Sequence, residues 1–287
     1  TGSGNSSVFV GRKYGFQYLT NDSLEVITDK KVNTVLIATR HNLHASLILK
    51  SIKNNKHIFT EKPLAINLNE LNEIRDNYKE FSFNKNLMIG FNRRFSPAIK
   101  DLLKSLNPNS PKSILIRVNN KQLNPNHWTN DIDIGGGRII SDACHFIDLS
   151  IFLANSEVLS VVAESISEPN NLNNTVSISL KFANGSISSI NYFSNGNENL
   201  NKEYIEVYSD NIVGIIDDFK SLNMYGIKIK KINYKFQDKG HVNCINEFSK
   251  SIKEGTKCPI SFEEIYMSSL VTLLVNKSLS ENRKIEL

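Results

Sequence analysis

The sequence predicts an α/β protein of two domains, a parallel-sheet domain over residues 1–95 and an α+β domain with an open, largely antiparallel sheet over residues 96–287. The first observation is that strand-like and helix-like segments alternate in the first third of the chain, as in a parallel sheet covered on both faces. The second is that strand-like segments with a period of two dominate the remainder. The third is the length of 287 residues, which exceeds what one ordinary core needs.

Three short segments of the first domain are predicted to be buried parallel strands, because they are apolar and rich in β-branched residues. They are residues 32–38, 57–60 and 87–91. Residues 44–54 and 67–81 are predicted to form helices between them. Asn67 is a suitable N-cap for the second helix, with Glu70 three residues later as in a capping box.

The beginning of the chain differs from the usual opening of a dinucleotide-binding Rossmann domain, which is a strand, a G-x-G-x-x-G turn and a helix. Thr1-Gly2-Ser3-Gly4 contains glycines, but no strand-like segment precedes it. We interpret residues 1–4 as a loop after the second strand, and Ser6–Tyr14 as the following helix with Gly15 at its C-cap. The first domain is therefore predicted to be a Rossmann domain that is incomplete at its N-terminus, with its phosphate-binding glycine loop upstream of residue 1.

The second domain is predicted from alternating apolar and polar residues, and Ala183-Asn184-Gly185 is a strong signal for a tight hairpin turn. The predicted strands are residues 113–121, 158–165, 175–182, 186–193, 204–208, 212–216 and 227–236. The predicted helices are residues 96–106, 139–153, 242–254 and 262–280. Helices that interrupt a series of strands in this way indicate an α+β domain.

Charge and composition exclude several classes of protein. The formal net charge is +5, but the lysines are scattered, and the densest cluster (Lys228, Lys230, Lys231) alternates with Ile as an exposed strand face would. No nucleic-acid partner is therefore expected. No apolar run is long enough to cross a membrane. The three cysteines are widely spaced and form no paired motif, which argues against disulfides and indicates a cytoplasmic protein.

Four segments carry motifs in a distinctive order. They are IATRHNLH at 37–44, KHIFTEKPL at 56–64, GFNRRF at 90–95 and GGGRIISDACHFID at 135–148. In this order and spacing they resemble the glucose–fructose oxidoreductase, inositol dehydrogenase and MocA family over essentially the whole chain. GFNRRF and CHFID are most similar to a subgroup that is fused behind a zinc-type alcohol dehydrogenase domain in one longer polypeptide. The resemblance implies an NAD(P)-dependent dehydrogenase of carbohydrate metabolism.

Glu61-Lys62-Pro63 follows a predicted parallel strand, at the sheet edge where open α/β sheets bind ligands. Oxidation of an alcohol by hydride transfer also requires removal of the hydroxyl proton, and a desolvated lysine amine beside a positively charged ring gives up its proton readily. The resemblance implies that Lys62 is this catalytic residue, that Glu61 helps to hold the cofactor, and that the Lys62–Pro63 bond is cis. A solvated lysine in a loop is the alternative.

His145 lies on a predicted helix that begins after three glycines, where a ligand can approach the backbone closely. Histidine suits proton transfer near neutral pH, and the resemblance implies a general acid–base or a substrate ligand; a buried core histidine is the alternative. Many family members carry Asp four residues before this His, where this chain has Ser141 and places Asp142 one residue later. Helical spacing predicts Ser141 on the side of His145 and turns Asp142 away from it.

The resemblance places Asn92 and Arg93 beside the substrate, and the position of His127 and Trp128 before the glycine run makes them candidates for the wall of the sugar pocket. The candidate substrate residues are Asn92, Arg93, His127, Trp128, Ser141 and Asp142, and the candidate cofactor residues are Thr39, His44 and Glu61. A core or lid role suits Trp128, the single tryptophan, equally well. His41 and His44 without a carboxylate partner are too few for a metal site, so no metal is expected.

The expected reaction is hydride transfer between a secondary alcohol of a sugar, polyol or sugar nucleotide and NAD or NADP. The absence of an acid among residues 1–4, with Arg12 nearby, favours NADP. The family commonly associates through the exposed face of its second sheet, so a homodimer or tetramer is expected. The alternative is a non-catalytic module that senses a nucleotide or scaffolds a larger enzyme, which Ser141 favours and the presence of Lys62 and His145 opposes.

Overall fold

The structure is a computed structural model that describes residues 4–81, 83–168, 172–228 and 230–287, with side chains from Val8 onward except that of Lys230. The helices of the first domain are α1 Gly4–Tyr14, α2 Ser23–Thr28, α3 His44–Lys53 and α4 Leu68–Glu80. Its strands are β1 Thr34–Ile37, β2 His57–Thr60 and β3 Leu87–Ile89. The predicted positions of these three strands and of α3 and α4 are confirmed.

β1, β2 and β3 form a parallel sheet in that order. Parallel pairing follows from the helices that cross over between consecutive strands, and it brings the carboxyl ends of the strands to one edge. α3 and α4 pack their aliphatic side chains on this Rossmann-like sheet. The loops that follow the strands therefore meet at a single sheet edge, where the motif residues of this domain lie.

The N-terminal segment forms a helix, as predicted, and Gly15 ends it with a φ of +68°, a conformation that suits glycine. Residues 1–3, which belong to the predicted loop, lie outside the described residues, and Gly4 is already helical. Within the described part of the chain, no strand precedes α1. Sequence analysis missed α2, although Asp22 caps it by accepting a hydrogen bond from Leu24 N at 2.8 Å.

The helices of the second domain are α5 Pro97–Leu103, α6 Cys144–Ala154, α7 His241–Glu254 and α8 Phe262–Glu281. Its strands are β4 Ser113–Asn119, β5 Val158–Ser165, β6 Val176–Phe182, β7 Ile187–Phe193, β8 Glu203–Ser209, β9 Ile212–Asp217, β10 Ser221–Tyr225, β11 Lys230–Asn233 and β12 Ile285–Glu286. The prediction missed β10 and β12, and β11 occupies only part of the strand predicted over 227–236. The helix predicted over 139–153 divides into a π-helical turn, Ile139–Ala143, and α6.

The described strands of this domain form one sheet in the order β11-β10-β9-β8-β4-β7-β6-β5-β12. β4 and β7 are parallel, whereas the other neighbouring pairs are antiparallel. The predicted largely antiparallel sheet is therefore confirmed. The Ala183-Asn184-Gly185 turn joins β6 to β7, with Gly185 at a φ of +90°.

α6 and α8 cover one face of the large sheet and form the larger core with it. A second core joins the small parallel sheet to α7 and to the beginning of α8, through residues such as Phe248 and Ile265. The C-terminal helices thus pack against both domains, across the predicted boundary after residue 95. No helix among the described residues is long and apolar enough to cross a membrane.

Candidate active site

Glu61 and Lys62 leave the carboxyl end of β2 at the edge of the small sheet. The backbone N of Glu61 donates to the last carbonyl of β1 at 2.8 Å, and the Lys62–Pro63 peptide bond is cis, as predicted. The Lys62 side chain is 19% exposed, and its ammonium lies 3.3 Å from Asp142 Oδ1. It also donates to the backbone carbonyl of Ser141. The lysine is therefore anchored to the second domain by two oxygen atoms.

The π-helical turn before α6 brings Asp142 to Lys62. Asp142 lies within this π turn and its carboxylate contacts Lys62, so the α-helical spacing used to predict its direction does not hold here. The expectation that Asp142 turns away from the site is therefore wrong. Ser141 contributes its backbone carbonyl instead, and its buried hydroxyl has no hydrogen-bond partner among the described residues.

A buried network of the second domain holds Asp142 from behind. Asp142 Oδ2 accepts a hydrogen bond from the Tyr192 hydroxyl at 2.9 Å and lies 3.6 Å from Arg138 Nη1. Arg138 and Asn120 donate to the same tyrosine hydroxyl at 2.7 and 2.9 Å. Burial alone would raise the pKa of Asp142, but the charge of Lys62 and the Tyr192 hydrogen bond contribute to lowering that pKa to about 2. Asp142 is therefore an anion at physiological pH.

His145 lies on α6, 7% exposed, with its ring centroid 6.2 Å from that of Phe91. Its Nδ1 is buried and has no hydrogen-bond partner in the described part of the chain. Burial, reinforced by the charges of Arg93 and Lys62, holds the pKa of His145 well below its usual value. The ring is therefore neutral at physiological pH. A buried nitrogen without a partner is a feature that a bound hydroxyl group would satisfy.

Asn92 and Arg93 belong to a buried network between the domains. Arg93 Nε and Nη2 donate to the Glu203 carboxylate at 2.8 and 2.9 Å, and Lys239 Nζ donates to it at 2.7 Å. Asn92 Nδ2 donates to the backbone carbonyl of Lys239 at 2.6 Å. Burial alone would raise the pKa of Glu203, but Arg93 and Lys239 lower it to about 2. Both side chains are buried against protein partners, and the contact of Asn92 and Arg93 with the substrate stays a prediction.

His44 has no exposed surface. Its Nδ1 lies 2.7 Å from Pro63 O and its Nε2 3.2 Å from Thr39 O, so the ring holds together the loops after β1 and β2. The structure therefore shows His44 as a support of these loops, and its contact with the cofactor stays a prediction. Thr39 and Glu61 lie in the two loops that His44 connects, and both are exposed at the sheet edge.

Trp128 joins the glycine segment of the second domain to the loop after β1. Its ring packs edge-on against His41 with centroids 4.7 Å apart, and the Arg40 guanidinium lies 5.9 Å from the tryptophan ring centroid. His41 Nδ1 hydrogen-bonds to Gly135 O at 2.8 Å, and burial lowers the pKa of His41 to about 4. His127 accepts a backbone hydrogen bond at 3.3 Å and caps a short turn. These contacts place Trp128 and His127 at the junction of the domains.

Sequence analysis did not identify the residues that support Asp142 and Arg93. Tyr192 and Glu203 are fully buried on strands, and Arg138 is buried directly after the glycine run. The available signal was a polar side chain at an inward position of an alternating strand, since such a side chain requires a partner. Which partner it finds depends on tertiary packing that one sequence does not display.

The fold and the site together define a class of protein. A parallel α/β sheet of the dinucleotide-binding type presents a lysine, from the carboxyl end of a strand, to an aspartate of an α+β domain, and the helix after that aspartate carries a histidine. Residues 3–84 match the model of the oxidoreductase family with an NAD-binding Rossmann fold, and residues 99–211 match the GFO/IDH/MocA C-terminal domain. The two matches together span more than half of the chain, and the chain belongs to the GFO/IDH/MocA oxidoreductase family.

Characterised relatives include the myo-inositol 2-dehydrogenase of Thermotoga maritima, which is 25% identical over 291 residues, 96% of this chain and 86% of that protein. The scyllo-inositol 2-dehydrogenase (NAD(+)) of Bacillus subtilis is 30% identical over 155 residues, 53% of this chain and 44% of that protein. The solved structure of levoglucosan dehydrogenase in complex with NADH has a TM-score of 0.88 at 21% identity, covering 100% of this chain and 88% of that one. This structural likeness shows a shared two-domain fold.

Proposed function

We propose that this protein transfers a hydride between a secondary alcohol of a sugar, polyol or sugar nucleotide and a nicotinamide cofactor. The observation that carries the proposal is the position of the Lys62 ammonium, 3.3 Å from Asp142 Oδ1 at the carboxyl end of a parallel strand. His145, neutral and with an unpartnered ring nitrogen, lies on the helix that follows Asp142. Related proteins named for inositol and levoglucosan dehydrogenation support the substrate class.

The sheet edge fits a nicotinamide cofactor, and Thr39 and Glu61 are the exposed residues there that would hold it. Glu61 lies close to the backbone of Gly90, where an added Cβ would come within 3.1 Å of Glu61 Oε2, so the loops after β2 and β3 adjoin tightly. When bound, the cofactor would accept or return the hydride. NAD is favoured by the family description, whereas the absence of an acid among residues 1–4, with Arg12 nearby, favours NADP, so both cofactors require testing.

The residues of this chain would manage the hydroxyl proton. In the oxidation direction Lys62 would act as the neutral amine, which takes the hydroxyl proton and becomes the ammonium as the hydride leaves for the cofactor. In the reduction direction the ammonium would return that proton to the oxygen, and Asp142 positions the lysine in both. His145 is neutral, so its ring can accept a hydrogen bond from the same or a neighbouring hydroxyl and orient it. Oxidation of the alcohol and reduction of the carbonyl product then use the same groups, with the proton moving between the oxygen and Lys62.

Activity measurements test this proposal directly. The absorbance of reduced nicotinamide is followed with NAD and with NADP, using myo-inositol, levoglucosan and D-glucose as alcohols. We expect oxidation of at least one of them, and its loss in Lys62→Ala. The matched control is Lys79→Ala, which removes an exposed lysine of α4 from the same domain. Wild-type turnover in Lys62→Ala would contradict the proposal.

We also propose that two copies associate through the outer face of the large sheet. Leu115, Ile187 and Tyr208 are 38%, 50% and 44% exposed there, beside a concavity of about 460 Å³. Apolar side chains among serines suit an interface that is only partly dry. We expect light scattering to report a dimer or tetramer that Ile187→Lys dissociates, whereas Leu200→Lys, an exposed leucine off the strands, leaves it intact. A wild-type monomer at working concentration would contradict this assembly.

The GFNRRF and CHFID segments support one further proposal, that this chain works behind a zinc-type alcohol dehydrogenase domain in a longer polypeptide. The mass of the native polypeptide, measured on protein captured from its own cells with an antibody against this chain, tests it. A native mass near 32.4 kDa would contradict the fusion.

A further inference from the structure

The cluster of charged side chains around Asp142 and Glu203 holds more positive than negative groups. Its two buried or half-buried carboxylates, Asp142 and Glu203, each face two cations already. These cations are Lys62 and Arg138 for the first carboxylate, and Arg93 and Lys239 for the second. The cluster therefore has an excess of positive charge before any further residue is considered.

Lys202 adds a fifth cation to this cluster. It directly precedes Glu203 at the start of β8, and its backbone carbonyl accepts a hydrogen bond from Asn119 N at 2.7 Å, which fixes its position. Its side chain is half-buried, and its charge reaches both Asp142 and His145. Burial lowers the pKa of Lys202, although the two carboxylates of the cluster act to raise it. Within the described residues, no carboxylate lies at ion-pair distance from its ammonium.

The other lysines around Lys202 are different, because each has a carboxylate of its own. Lys202 lines a cavity of about 280 Å³ together with Lys121 and Lys220. Lys121 pairs with Glu198 at 3.0 Å, and Lys220 pairs with Asp218 at 2.9 Å. Among the three lysines of this cavity, Lys202 is therefore the one that has no carboxylate at ion-pair distance within the described residues.

The cavity adjoins the candidate active site. Asn120 lies in its wall and donates a hydrogen bond to the Tyr192 hydroxyl at 2.9 Å. That hydroxyl donates to Asp142 at 2.9 Å, and Asp142 pairs with Lys62. Two side chains, Asn120 and Tyr192, thus connect the cavity to Asp142, and the charge of Lys202 acts on both Asp142 and His145.

We infer that Lys202 binds an anionic group, a carboxylate or a phosphate, which the sugar substrate carries away from its reacting carbon. This inference rests on the proposed function, because it names the substrate class of the same site. A partly desolvated ammonium without a counter-ion gains a short, charge-assisted hydrogen bond from such a group. The excess positive charge of the cluster favours the same class of ligand over a neutral sugar.

The test compares sugars that differ only in charge. Binding of D-glucose, D-glucuronate and D-glucose 6-phosphate to the protein, with and without NAD, is measured by calorimetry alongside their oxidation. We expect at least one of the two anionic sugars to bind more tightly than glucose, and Lys202→Gln to weaken that binding by about tenfold or more while glucose is unaffected. Lys202→Arg should restore it. Lys220→Gln is the matched control, because it removes one positive charge from the same cavity and should leave binding unchanged.

Each outcome separates the subsite from the redox function. Tighter binding of an anionic sugar that depends on Lys202, without oxidation by NAD or NADP, supports the subsite and contradicts the proposed reaction. Oxidation of glucose with no preference for either anionic sugar overturns the subsite and leaves the reaction standing. Equal weakening of glucose and the anionic sugars by Lys202→Gln also overturns it, because the lysine would then have only a structural role.

Discussion

At the scale of the residue, the candidate site depends on which oxygen atoms surround one ammonium group. Lys62 has the Ser141 carbonyl and the Asp142 carboxylate as partners, and the carboxylate is itself held by Tyr192 and Arg138. Such a shell restricts the lysine to one position, as a group that must meet a particular hydroxyl requires. The hydroxyl of Ser141, in contrast, has no partner among the described residues.

This arrangement predicts different effects for neighbouring substitutions. Asp142→Asn and His145→Ala should each lower turnover by about 10²–10⁴-fold, because the first removes the counter-ion of Lys62 and the second removes the group that orients the hydroxyl. Ser141→Ala should change turnover by less than about threefold, since only its backbone contacts Lys62. Steady-state kinetics with the best alcohol found for the wild type provide the measurement. A larger loss in Ser141→Ala than in Asp142→Asn would refute the assignment.

At the scale of the element, sequence analysis located most helices and strands but not the direction of the site residues. The strands β1–β3 were predictable because a buried parallel strand must be continuously apolar. Lys62 and His145 were identified from motif resemblance, and the structure brings their neighbourhoods together. Asp142 was misplaced because the choice between an α turn and a π turn depends on packing of Ile139–Ala143 and not on local pattern.

The π turn can be tested by moving the carboxylate along the chain. In the double variant Ser141→Asp, Asp142→Ser, the acid moves to position 141, where the structure gives Lys62 a contact with the backbone carbonyl and not with the side chain. We expect the double variant to be as inactive as Asp142→Ser alone, with turnover at least about 100-fold below wild type. Circular dichroism and unfolding curves check that the variants remain folded. Recovery of activity in the double variant would contradict the side-chain directions that this turn has in the structure.

At the scale of the whole molecule, buried ion pairs join the two domains. Arg93 pairs with Glu203, and Arg94 pairs with Asp148 at 2.6 Å. Each arginine comes from the turn after β3, and each carboxylate comes from the second domain. Because charges buried at a junction tolerate little displacement, these pairs fix the relative position of the domains, and with it the meeting of Lys62 and Asp142.

The Glu203 pair predicts an acid-dependent loss of stability. The folded pKa of Glu203 is about 2, below its usual value of 4.5, so the unfolded chain binds more protons than the folded chain between these limits. The stabilisation is fully present above about pH 4.5 and is lost as the pH falls through about 2. We expect Glu203→Gln to lower the free energy of unfolding by about 3–5 kcal/mol at pH 7, because it leaves buried cations unpaired, and to flatten the acid dependence.

Urea unfolding at a series of pH values measures both effects. Glu206→Gln is the control, because Glu206 lies on the same strand with its side chain partly exposed and should change stability by less than about 0.5 kcal/mol. An unaltered acid dependence in Glu203→Gln would assign the acid sensitivity to other carboxylates.

The π turn also affects how distant relatives of this protein can be found. The acid of this chain lies three letters before the histidine, in a turn that does not follow α-helical spacing, so letter counts alone do not give its position in space. A search pattern that demands an acid four letters before the histidine rejects this chain, although its carboxylate meets the lysine. Sequences set aside as inactive for lacking that spacing should therefore be re-examined for a local π turn before their chemistry is dismissed.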